Sequence, residues 1–109
     1  MKIKLSPIQT DERLNASVKG DCLTLNGIEF NFEPLQEGEL LPCAAIATNW
    51  ILGDVQRLNG EIHLTLRLPH GYMAPHETKF PTAYEMPMDV KNGEVILPPY
   101  DIYQEGLVL

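Results

Sequence analysis

Much of what announces a chemistry is missing from this chain of 109 residues. It has only two cysteines, Cys22 and Cys43, which is no disulfide framework, and neither has a His or a second Cys beside it. No apolar h-region follows Lys2 and Lys4, so no signal peptide is read and both thiols are expected to stay reduced. Basic residues are also scarce: eight against fifteen acidic ones, a net charge of -7. They are scattered singly, so neither a nucleic-acid backbone nor an anionic membrane surface fits as a partner. The longest apolar stretch, residues 40–52, is interrupted by Pro42, Thr48 and Asn49 and is too short to span a bilayer. There is no Gly-x-Ser-x-Gly elbow and no phosphate-binding loop, and Ser6 and Ser17 sit beside a proline and a turn. The carboxylates are numerous but dispersed, as on a solvated surface. The expectation is a protein that is not an enzyme and has no cofactor.

Turn formers are abundant. Nine prolines and eight glycines leave little room for long helices and exclude a helical bundle. Asn-Gly, the strongest short hairpin signal, occurs at Asn26-Gly27, Asn59-Gly60 and Asn92-Gly93. Pairing about the first sets Leu25 against Ile28 and Leu23 against Phe30 on one face, with Thr24 against Glu29 on the other. About the second, Val55 meets Leu64; Ile62, Leu64, Leu66 and Leu68 alternate inward, and Arg57 falls opposite Ile62, an untidy match. About the third, Val90 meets Val95, Met88 meets Leu97, and Lys91 and Glu94 form a cross-strand ion pair, with Pro87 and Pro98 bounding a short edge hairpin. Residues 2–5 and 16–18 supply two more strands, and Pro42 opens one helical turn. The predicted fold is mainly β: a small antiparallel sandwich or half-open barrel of hairpins with one short helical turn. Residues 1–99 read as one β-rich domain, and residues 100–109 as a tail that docks on the domain or on a partner.

Candidate site residues concentrate in two places. The connection from Pro69 to Pro81 carries His70, Tyr72, Met73 and His76, and a long loop of this kind is often functional. It offers a carbohydrate-binding or metal-binding site, although the spacing of His63, His70 and His76 matches no compact zinc signature, so no metal is assigned. The tail carries Tyr100 and Tyr103, whose rings suit an interface because they bury area and keep a polar handle. Trp50, the one indole, is expected in the core. The edge at residues 2–5 or the tail lacks obvious protection, which makes a homodimer one expectation.

The order of these pieces resembles a family. Ile3-Lys4-Leu5-Ser6-Pro7, then residues 21–27, Phe30-Asn31-Phe32, Pro34-Leu35, residues 53–60, His63-Leu64-Thr65-Leu66, Leu68-Pro69-His70-Gly71, Ala74-Pro75 and Phe80-Pro81 resemble small proteins of bacteriophage and prophage tail-gene regions. The likeness covers most of residues 1–81. It implies a minor tail component or tail assembly factor that acts by protein–protein contacts with phage tail proteins, in the cytoplasm of a bacterial host or on the virion. The family carries no assigned chemistry and no functional residues to transfer.

Overall fold

Among residues 1–102, which the computed structural model describes, alternation and turn chemistry produce nine strands. They are β1 (Lys2–Gln9), β2 (Ala16–Lys19), β3 (Cys22–Leu25), β4 (Ile28–Asn31), β5 (Leu40–Leu41), β6 (Ile51–Leu58), β7 (Glu61–His70), β8 (Met88–Asp89) and β9 (Asn92–Glu94). One sheet has the order β5-β6-β7-β1-β8 and the other β4-β3-β2-β9. The fold is mainly β and every pairing is antiparallel except β1 with β7, which run parallel from Lys2 opposite His63 to Gln9 opposite His70. β1 therefore lies between β7 and β8, and of the bare edge expected at residues 2–5 β8 covers Lys2 and Ile3.

The first hairpin follows the predicted register throughout, and the second follows it from Leu58 opposite Glu61 to Gln56 opposite His63. Asn26 and Asn59 take φ of 49° and 52°, and the glycines after them 83° and 78°, the left-handed pair that a two-residue turn needs. In β7 the odd positions from Glu61 to Arg67 stay half-buried and the even positions Ile62, Leu64, Leu66 and Leu68 are buried. Those four, with Ile3, Leu5 and Val55, meet Val18, Leu23 and Leu25 of the smaller sheet in one core. The expected pairing of Val55 with Leu64 is displaced by a bulge between Leu52 and Gln56, where Gly53 takes φ of 75°. Pro42 opens the expected turn, a 3₁₀ turn over Cys43–Ala45.

The third hairpin does not form. β8 pairs with β1 in the larger sheet and β9 with β2 in the smaller one, so Val90 and Lys91 carry the chain between sheets. The reason is that long-range partners satisfy more backbone here than a local turn would. Val90 and Met1 exchange bonds of 2.9 and 2.8 Å, the Val95 N–H donates to Ala16, and Asn92 Oδ1 accepts from the Gly20 N–H. An isolated hairpin would have left two sheet edges uncovered. Lys91 consequently reaches Glu61 and Asp89, not Glu94.

Arg57 explains its untidy place opposite Ile62. Its side chain, 13% exposed, bridges the sheets: Nη2 lies 2.9 Å from Asp21 Oδ2 in the β2–β3 turn. The guanidinium also donates to the carbonyls of Leu35, Phe32 and Gly60. Glu37 completes this end of the molecule by accepting both N–H groups of the Asn59-Gly60 turn, at 2.9 and 2.7 Å.

Two outcomes follow for stability. Arg57→Met strands three carbonyls and a carboxylate and should cost about 3 kcal/mol. Asp21→Asn leaves the carbonyls engaged and should cost only about 1 kcal/mol. Urea denaturation orders the two, and the reverse order would make the carboxylate the anchor. At the β1–β8 clasp, a hydrogen bond from Lys2 holds the Asp89 carboxyl below its usual range, against partial desolvation. A depressed folded-state value means this contribution is complete above the ordinary carboxylate pKa and is lost as pH falls through the lower folded value. Asp89→Asn should therefore flatten the fall in stability below about pH 4, measured by urea midpoints across pH.

Candidate functional site

The segment from Pro69 to Pro81 is shorter as a loop than its prolines imply. β7 continues through Pro69 and His70 because Ile8 and Gln9 of β1 pair with them, and α1 (His76–Lys79) forms behind Pro75. Pro69 is tolerated there because β6 ends its pairing at Leu66, leaving β7 a neighbour on one side only. What remains irregular between them is Gly71 to Pro75.

Of the predicted site residues, Tyr72 and Tyr100 line one concavity with Gly71 and Asp101, whereas the two histidines make separate local contacts. His70 is half-buried with Nδ1 3.0 Å from the Gly71 carbonyl. His76 stacks on Phe80, ring centroids 4.8 Å apart. Tyr72 is 80% exposed and Met73 is exposed beside it. Among the described residues no three His, Cys, Asp or Glu side chains come together to hold a metal ion. Tyr100 lies against its own chain: Arg13 sits 3.4 Å over its ring, its hydroxyl donates to the Thr10 carbonyl, and its carbonyl accepts from the Gly71 N–H. Ile102 N–H then donates to the Met73 carbonyl. Tyr103 lies outside the described residues.

Behind this strap the buried Thr78 donates to the Pro99 carbonyl at 2.6 Å and ties α1 to the last stretch of chain. The two segments enclose a groove of about 480 Å³. Leu5 forms its floor, Pro81, Pro87 and Pro98 its walls, and Met86 and Ile96 its rim, exposed to 69% and 76%. The sequence does contain a signal for Ile96, since inward Val95 and Leu97 leave it facing out. Met86 follows no periodic pattern, and its place depends on the 3₁₀ turn over Thr82–Tyr84 that precedes it.

A second concavity, about 540 Å³, opens where the smaller sheet is not covered by the larger. Ile28 and Phe30 of β4 form one wall and Thr48, Asn49 and Trp50 the other. Trp50 is thus half-buried, packed against the margin of the core and lining the cleft, not enclosed in the core as expected, because it precedes Ile51, where β6 begins its pairing with β7. Arg67 lines the same cleft and donates through Nε to the Asn49 carbonyl. Cys22 lies on the far face of this sheet. Partial burial, then Glu29, Glu33 and Asp21, push Cys22 up.

Gly71 is where the strap comes closest: a Cβ there would stand 2.3 Å from Asp101 Oδ2 and 2.9 Å from the Tyr100 ring. Gly71→Ala should therefore displace the strap at a cost of about 1–3 kcal/mol. The checks are thermal melting and faster hydrogen exchange at the residue 71 amide.

Among the described residues no helix is long and apolar enough to cross a membrane. Compared with family models, curated proteins and solved structures, the chain matches none.

Proposed function

We propose that this chain is a non-enzymatic, protein-binding member of the phage and prophage tail-region class it resembles, either a minor tail component or a tail assembly factor. The observation that supports protein binding is the apolar groove between residues 77–88 and 96–99. Water-exposed Met86 and Ile96 flank a proline-walled channel floored by core Leu5. Exposed apolar side chains grouped about a concavity are characteristic of protein contact surfaces, whereas isolated ones need no explanation. The tail setting rests on the sequence resemblance. A homodimer through the same groove is one form such contact could take.

A carbohydrate-binding role for residues 69–81 is the second reading, and the nearly complete exposure of the Tyr72 ring favours it. A metal-binding role has no such support, since no three ligating side chains come together among the described residues.

The test is mass spectrometry of gradient-purified particles and tail intermediates from an induced culture. Recovery with either fraction, abolished by Ile96→Lys with Met86→Glu, is the expected result. These exposed positions should change stability by no more than about 0.5 kcal/mol. Absence from both fractions removes the tail reading, and a glycan screen with Tyr72→Ala then decides the second one.

A further inference from the structure

β4 ends its sheet, and the direction of its free backbone can be worked out from the turn before it. A two-residue turn makes Leu25 and Ile28 a hydrogen-bonded pair, so pairing alternates from there. Phe30 with Leu23 is the next bonded pair, and the Phe32 N–H, which donates to the Asp21 carbonyl at 2.9 Å, continues the same phase. Glu29 and Asn31 between them direct their N–H and C=O groups away from β3. Among the described residues no strand receives them.

The two faces of this edge differ. Toward the larger sheet, Ile28 and Phe30 stand over the open cleft opposite Trp50. On the other face Glu29 is followed by Glu33, and both carboxylates lie near the Cys22 thiol, which burial first and then these charges push up. Both glutamates are exposed, and among the described residues no ion pair within 4.0 Å engages either one.

We propose that the outer edge of β4 is a strand-addition site for an extended partner segment that alternates apolar and basic residues. Its apolar side chains enter the Trp50 cleft and its Lys or Arg side chains meet Glu29 and Glu33, while its main chain bonds to Glu29 and Asn31. Charge decides against the nearer alternatives. A second copy paired about Glu29 sets two glutamates opposite each other, and one paired about Asn31 sets Glu29 opposite Glu33. The chain's own residues 103–109 contain Glu105 and no Lys or Arg. The inference rests on the reading of the chain as protein-binding but uses a different surface from the groove.

The full chain is titrated with an octapeptide alternating valine and lysine, with a valine–glutamate octapeptide as control. Trp50, the one tryptophan, reports from within the cleft. The expected result is a saturable emission change with the lysine peptide alone. Glu29→Pro keeps the β3–β4 ladder, since its N–H is not used there, and should weaken binding at least about tenfold. Glu29→Lys, which keeps the backbone donor and serves if the proline variant does not fold, should reverse the preference toward the glutamate peptide. Equal binding of both peptides, binding of neither, or binding untouched by both substitutions overturns the proposal. So does a dimer in sedimentation that Glu29→Pro dissolves, because the edge then belongs to a second copy. Tail association lost in the Ile96 variant but unchanged by Glu29→Pro, with no peptide binding, would sink this site and leave the broader reading standing. Peptide binding without tail association would do the opposite.

Discussion

The guanidinium of Arg57 occupies a position that the alternation of β6 assigns to an apolar side chain, and the closed end of the molecule is arranged around it. Its carboxylate partner sits in the β2–β3 turn, and its carbonyl partners lie in the chain that leaves β4 and in the β6–β7 turn. One side chain therefore fixes how the smaller sheet lies on the larger, because a charge this poorly hydrated must keep its partners. The apolar layer made by Ile62, Leu66, Leu23 and Leu25 supplies most of the attraction between the sheets, but that attraction has no direction. Arg57 supplies the direction.

At the opposite end nothing comparable among the described residues closes the sandwich. Ile28, 61% exposed, belongs to the inward face of its sheet yet lacks a strand above it. The larger sheet stops at the Trp50 segment, and the gap between them is the cleft. On the far flank the crossing from β8 to β9 joins the two sheets covalently, and the tie of Thr78 to Pro99 holds the groove walls together. The molecule thus has one end locked by charge, one end open, and one flank carrying exposed apolar residues. Both candidate binding surfaces lie where packing is incomplete.

The parts legible from sequence are those whose information is local. The Asn26-Gly27 turn sets the expected register throughout, because turn geometry and face separation agree there. The Asn59-Gly60 turn sets it only as far as Gln56 opposite His63, where the bulge intervenes. At Asn92-Gly93 the same dipeptide misled: residues 90–95 have few apolar contacts to gain as a hairpin, so pairing with β1 and β2 decided their fate. The parallel ladder of β1 with β7 leaves no signature in either strand. Trp50 was misplaced because its exposure follows from where the larger sheet ends, a fact of tertiary arrangement. For the site, Tyr72 and Met73 were legible as loop residues, whereas Met86 and the β4 edge required the sheet order.

The parallel pairing also sets an order of events during synthesis. β1 leaves the ribosome well before β7, so Lys2 must wait for His63 and Gln9 for His70 before either has its parallel ladder partner. Meanwhile the hairpin of β3 and β4 can close on the microsecond scale of local structures. Contacts so distant in sequence slow folding, since the loop must close before any reward is gained. The alternating strand Lys2-Ile3-Lys4-Leu5 therefore remains unpaired while most of the chain is being made. Its two lysines then act as gatekeepers, keeping nascent chains from pairing with one another until β7 arrives.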